Sequence, residues 1–304
     1  MTNTLNFSTA LELLEACRAR HASISEVTQL REEAASGRPR AEIRARMRDY
    51  WRAMSASIDA GLGVTGHSAS GLSGGDAAAL WSYAESGPAW GGAELFRTMA
   101  YGFAVLESNA RHGRIIATPT AGSAGIVPAC LRALKESRGL KEEEVVTLLF
   151  TAAGIGHLIG AQACFSGAEG GCQAEVGSAA CMAAAAVAEG LGGSPEHACS
   201  AAAFALMNTL GLVCDPVGGY VEVPCVARNG FFAVHAFLAA GLALAGARTI
   251  LPLDDVILAM RDIGRRMPRA LRETSEGGLA DTPTARRYRP APAHSSAPPP
   301  SMPS

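Results

Sequence analysis

Residues 183–186 are four consecutive alanines inside an apolar run that covers residues 176–191. The run is longer than an ordinary strand, and alanine is the best helix former. A helix whose inner face carries only methyl groups gains from burial only where its neighbours come very close. The chain supplies such neighbours. Residues 142–164 form a second apolar helical stretch, in which Gly154, Gly156 and Gly160 would let another helix approach. Roughly a fifth of the residues are alanine, well above average usage, and only 6% are aromatic. Much of the core must therefore be helices packed through Ala and Gly. No alternating strand series and no βαβ rhythm is present. The expected fold is mainly α: one compact helical domain over residues 1–280, with Gly-rich loops between helices.

Start and stop signals bound the elements. Thr9 and Glu12 stand at capping-box spacing over an N-terminal helix at residues 8–14. Ile43, Met47, Trp51, Met54 and Ile58 recur on one face of a helix over residues 40–60, which Gly61 stops. Asp76 reads as the cap of a helix that passes Leu80 and Tyr83. Further helices are expected over residues 92–111, 126–137, 195–212 (capped by Ser194, with Pro195 first), 230–247 and 253–267. Loops are expected over residues 61–75, 166–171 and 214–228. Seven of the 16 prolines fall at or after Pro283, among Ser and Ala, so residues 281–304 read as a disordered tail.

Charge excludes several function classes. The formal net charge is −2, which gives no general attraction to nucleic acid or to an anionic membrane. The apolar stretch at residues 231–246 is shorter than the ~20 residues a spanning helix needs, so no membrane segment is expected. The first residues lack the charged and apolar regions of a signal peptide. The eight cysteines are then expected as free thiols or metal ligands in a reducing cytoplasm. Lys135 and Lys141 are the two lysines of the chain, both beside a solvated turn. A pyridoxal phosphate enzyme needs a buried Schiff-base lysine, so that cofactor is not expected. No Gly-Lys-Ser/Thr sequence is present for a P-loop.

Three cysteines lie in polar, Gly-rich loops. Cys172 follows Ser166-Gly-Ala-Glu-Gly-Gly, while Cys214 and Cys225 bracket Asp-Pro-Val-Gly-Gly-Tyr-Val-Glu-Val-Pro. Loop glycines let backbone approach a cofactor, and its N–H groups can donate to sulfides. Coincidence of structural thiols is the plainer alternative, since no compact Cys-x-x-Cys is present. Zinc would want four protein ligands or three plus water. Three thiolates suit a [4Fe–4S] cluster with one open iron. Cys17, Cys130, Cys181 and Cys199 sit in helical patterns and read as small core residues. Cys164 has no assignment.

The segment Thr118-Pro-Thr-Ala-Gly-Ser-Ala-Gly125 leads into a helix, where backbone N–H groups can hold a carboxylate. Thr118, Thr120, Gly122, Ser123 and Gly125 are the candidate substrate-binding residues, against the alternative of an ordinary Gly-rich connection. His112 and His157 are weak candidates for proton transfer.

These stretches resemble the α chain of the bacterial iron–sulfur L-serine dehydratases (L-serine ammonia-lyases). The resemblance is carried by Gly71-Leu-Ser-Gly-Gly-Asp-Ala77, Ala117-Thr-Pro-Thr-Ala-Gly-Ser-Ala-Gly-Ile126, the loops around Cys172 and around Cys214 and Cys225, and Leu271-Arg-Glu-Thr-Ser-Glu-Gly-Gly-Leu-Ala280. It implies that Cys172, Cys214 and Cys225 hold a [4Fe–4S] cluster and that the Thr118–Gly125 loop holds the substrate carboxylate. It further implies conversion of L-serine to pyruvate and ammonia, a separate β chain in a hetero-oligomer, and a place in amino-acid catabolism and gluconeogenesis. Some relatives cap the open iron with a terminal cysteine. Here the last cysteine is Cys225, so self-capping is not expected. Two other readings stay open: a cluster-dependent lyase on another β-substituted amino acid such as cysteine, and a non-catalytic helical subunit.

Overall fold

The computed structural model describes residues 5–87 and 89–289. Among them are twelve α-helices and no strand, as the composition requires. They are α1 (Ala10–Arg20), α2 (Ile24–Ser36), α3 (Arg40–Leu62), α4 (Asp76–Ser86), α5 (Ala93–Ala110) and α6 (Ile126–Arg138). The second half holds α7 (Glu142–Gln162), α8 (Gly167–Gly170), α9 (Ser178–Gly190), α10 (Pro195–Met207), α11 (Cys225–Leu244) and α12 (Leu253–Arg266).

The alanine helix is the hub. Every residue of α9 from Ser178 to Ala188 is buried, and α6, α7, α10 and α11 pack around it. Glycines set the closest crossings. A Cβ on Gly61 would stand 1.9 Å from Ala104 O, so α3 and α5 touch backbone to backbone. A Cβ on Gly102 would stand 2.8 Å from Asn229 C, and one on Gly230 would stand 2.5 Å from Phe103 Cδ2. This pair of glycines seats α11 on α5.

Four expectations change. Helix α2 has no counterpart in the hydrophobic pattern, because its buried face includes Ser25, Thr28 and Gln29. Thr28 Oγ1 and Gln29 Nε2 donate to carbonyls one turn back, at 2.8 and 3.1 Å, and so become buriable. The expected loop at residues 166–171 contains the single-turn helix α8. The expected loop at residues 214–228 ends early: α11 starts at Cys225, and Gly230 is a packing contact rather than a helix start. The cap of α4 is not Asp76. Glu107 on α5 accepts from the N–H groups of Gly75, Asp76 and Ala77 at 3.0, 2.9 and 3.1 Å, which satisfies the leading donors of α4 from outside.

The expected tail begins later than residue 281. Ala285 is buried, Arg286 and Arg289 both pair with Asp281, and the Tyr288 carbonyl lies over Gly218. Residues 290–304 lie outside the described residues. By length and composition alone, α7 and α11 are each apolar enough to cross a membrane. The expectation drawn from residues 231–246 missed this, because α11 begins six residues earlier. Most of α7 is core, and α11 begins inside the site described next.

Candidate active site

Five separated stretches meet at one place, each tied to the next by hydrogen bonds. Gly171 closes α8, and Cys172 opens a π-helical turn over Gln173–Gly177, a feature common at functional sites. Gln173 N–H donates to Leu212 O at 2.9 Å, and Gln173 Oε1 accepts from Gly211 N–H at 2.8 Å. These bonds set the Cys172 turn against the segment entering Cys214. Cys214 in turn pairs with the C-terminal motif: its N–H donates to Leu271 O at 2.9 Å, and its carbonyl accepts from Glu273 N–H at 2.7 Å. Glu273 holds φ +61°, a left-handed conformation uncommon outside glycine. Ser275 Oγ donates to Pro216 O at 2.8 Å, and Leu279 N–H to Asp215 Oδ2 at 2.8 Å.

The Gly71-Leu-Ser-Gly-Gly loop is anchored through Glu222, a buried carboxylate just before Cys225. Ser68, Ser70 and Ser73 all donate their hydroxyls to it, Ser70 at 2.6 Å. Asn229, fully buried on α11, binds the threonine loop. Its Oδ1 accepts from Gly125 N–H at 2.8 Å, while its Nδ2 donates to Gly122 O and to Cys225 O, each at 2.8 Å. Every polar position of that amide but one lone pair is used.

The result is a cavity of about 230 Å³ lined by Thr120, Gly122, Glu175, Cys214, Cys225 and Glu273, with Ala121, Pro216, Gly219 and Val221. Cys172 lies buried close by, near enough to raise the pKa of both other thiols. Burial pushes Cys172 up to about 11, Cys225 up to about 12 and Cys214 further still. Glu175 Oε1 accepts from Thr120 Oγ1 at 2.7 Å, and its Oε2 faces Cys214 Sγ at 3.6 Å. Burial raises the Glu175 carboxyl above the ordinary glutamate range, with the Glu273 charge adding to it. Gly167 has no room for a side chain here: a Cβ would stand 2.6 Å from Glu175 Oε2 and 3.1 Å from Cys214 Sγ.

The three loop cysteines therefore come together, and with them two of the five candidate loop residues, Thr120 and Gly122. The other three brace the loop from behind. Ser123 is fully buried and bonds to Thr118 O, Thr118 Oγ1 donates to Ala124 O at 3.4 Å, and Gly125 N–H is spent on Asn229. Neither histidine lines the cavity. His157 Nε2 is engaged by Phe7 O at 2.9 Å, and His112 is an exposed left-handed residue after α5. Lys135 and Lys141 lie at the end of α6 and just before α7, away from the cavity lining. Sequence reasoning missed Glu175, Glu222, Glu273 and Asn229. All four sat inside quoted motifs, but a lone acid or amide in a loop gives no spacing signal. Cys164 is half-buried beside Gly170.

Residues 19–280 match the family described as serine dehydratase alpha chain. The chain is 47% identical over 281 residues to a protein of Bacillus subtilis named probable L-serine dehydratase, alpha chain, covering 92% of this chain and 93% of that one. It is 41% identical to the L-serine dehydratase, alpha chain, of Peptoniphilus asaccharolyticus, covering 93% and 97% of the two chains. It is 42% identical to the L-serine dehydratase of Streptomyces coelicolor, where 90% of this chain spans 60% of that longer protein. With the motifs converging on one cavity and near-complete coverage by such relatives, the chain belongs to the serine dehydratase alpha chain family.

Proposed function

We propose that this chain is the catalytic α subunit of an L-serine dehydratase, that it holds a [4Fe–4S] cluster on Cys172, Cys214 and Cys225, and that it works with a separate β chain. The observation that carries the reading is that two buried free thiols, Cys214 and Cys225, line the cavity bounded by Thr120 and Gly122, with the buried Cys172 thiol beside them. The donor set fits the group. Cys172, Cys214 and Cys225 are all free and buried, and each acts on the others, and three thiolates together suit a polynuclear cluster with one open position. Gly167, where any side chain would strike Glu175 and crowd Cys214, keeps the space beside that sulfur clear.

When bound, such a cluster supplies Lewis acidity at the serine β-hydroxyl, which offsets the poor leaving tendency of hydroxide. The chain's own residues bind and orient. The backbone of Ala121 and Gly122, which lines the cavity, presents donors for the substrate carboxylate, while the Thr120 hydroxyl is spent on Glu175. Glu273 faces the same cavity and favours the ammonium group. Glu175 Oε2, raised by burial, is suited to hold a proton beside the leaving oxygen. The group that takes the α-proton is assigned to the β chain. Loss of the α-proton and the β-hydroxyl as water leaves aminoacrylate, which tautomerises and hydrolyses to pyruvate and ammonia.

The test is anaerobic reconstitution of the chain co-expressed with its β chain. About four irons per α chain, a broad visible band and pyruvate release from L-serine are expected. Cys172→Ser, Cys214→Ser and Cys225→Ser should each lose iron, while Cys130→Ala keeps it. Unchanged iron content in all three serine variants would remove the cluster assignment. A panel including L-cysteine separates serine from other β-substituted substrates.

A further inference from the structure

Arg228 lies one turn into α11, three residues after Cys225. Its Nη1 donates to Val213 O at 2.9 Å and its Nη2 to Asp215 Oδ1 at 3.0 Å. The guanidinium thus grips both neighbours of Cys214. Its charge also acts on Cys172, whose thiol it holds lower than burial alone would. One cation therefore ties the Cys214 segment to the helix that starts at Cys225 and acts on Cys172 as well. It is well shielded, with side-chain exposure of 14% for Arg228 and 4% for Asp215. Asp215 is fixed in turn by the Leu279 N–H on its other oxygen.

The charges around this cation are mostly negative. Thiolates at Cys172, Cys214 and Cys225 would join Glu175 and Glu273 at the cavity. Partly dry surroundings make a buried charge act strongly on its neighbours. Asp215 offsets part of the arginine field. The planar fork suits this task, because it holds both neighbours of Cys214 at once and keeps its charge at any working pH.

We propose that Arg228 is a positioning residue that fixes the charge balance of the three-cysteine site, and that the Arg228–Asp215 pair sets the reduction potential of the cluster held there. The proposal rests on the iron–sulfur reading above. Net charge and hydrogen bonds to the sulfurs are the main levers on such a potential. Removing the positive charge disfavours the more negative, reduced cluster and lowers the potential. Neutralising Asp215 frees the arginine field and raises it.

The test is a redox titration of the reconstituted αβ complex, read by visible absorbance and electron paramagnetic resonance. R228Q should shift the one-electron reduction equilibrium about tenfold toward the oxidised form, about 59 mV lower. D215N should shift it the other way, and R228K, which keeps the charge, should stay near wild type. A purely architectural role would lower iron content or melting temperature in both variants without opposite shifts in potential. Unshifted potentials, or shifts of the same sign in R228Q and D215N, overturn the proposal. If R228Q does not fold, D215N decides alone, and an unchanged or lowered potential is then fatal. A wild-type complex that takes up no iron defeats the cluster reading and this proposal together. Four irons in wild type with unshifted variants defeats this proposal only.

Discussion

Thr120 Oγ1 donates to Glu175 Oε1 at 2.7 Å, joining the loop before α6 to the π-helical turn after Cys172. The two residues are 55 positions apart, and the bond leaves the other Glu175 oxygen facing the Cys214 thiol. It holds a buried carboxyl at one side of the cavity with its second oxygen free to act.

Thr120→Val keeps the shape and deletes the donor. Leaving one buried acceptor unpaired costs about 1–3 kcal/mol, so kcat/KM for serine should fall by about 10- to 100-fold, with a smaller change in melting temperature. Thr120→Ser should recover most of the activity. Equal activity of the valine and serine variants would show that the hydroxyl has no part in the site.

Asn229 discriminates by polarity. Its Nδ2 faces two carbonyls and its Oδ1 faces an N–H, so Asn229→Asp places an oxygen against two oxygens. The aspartate variant should therefore be less stable than Asn229→Ala, despite its closer shape. A loss of about 2–4 kcal/mol for the alanine variant follows from three buried bonds, and a larger loss is expected for aspartate. Thermal melts of the apo-protein rank the two.

Gly61→Ala tests the closest helix crossing. A Cβ overlapping Ala104 O forces α3 away from α5, and overpacking of this kind costs about 1–3 kcal/mol or more. Denaturant midpoints should fall sharply. Gly241→Ala, where a Cβ meets nothing within 4 Å, is the control and should hold or gain stability.

Glu107 predicts a pH trend. Burial raises its carboxyl above the ordinary glutamate value of 4.5. The folded state therefore binds the proton more tightly than the unfolded chain, and the associated stability is present below pH 4.5 and lost as pH rises through the folded pKa. The melting-temperature gap between wild type and Glu107→Gln should narrow from acid toward neutral pH. A gap that widens over that range contradicts the assignment.

The helical class was legible because the Ala183–Ala186 run and the glycines of α7 allow no other dense packing. The site was legible only as far as its loops. Cysteine and glycine in polar stretches pointed to Cys172, Cys214 and Cys225, whereas Ser123 and Gly125 carry the same local signature as Thr120 and Gly122 and yet face inward. Which side of a loop meets the cavity is decided by Asn229, more than a hundred residues away. Helix α2 stayed hidden because Thr28 and Gln29 are polar and buried, the one combination that hydrophobic periodicity cannot register.

The backbone pairing of Cys214 with Leu271 and Glu273 also has a meaning in time. A nascent chain leaves the ribosome N-terminus first, at about 5–20 residues per second. All three cysteines of the site emerge well before the strand-like partner that closes over Cys214. For several seconds, by that rate, the thiols belong to a half-built cavity open to solvent. On the proposed cluster reading, metal insertion would have its widest entrance then, and unwanted oxidation its easiest target, until the last motif arrives and shuts the door.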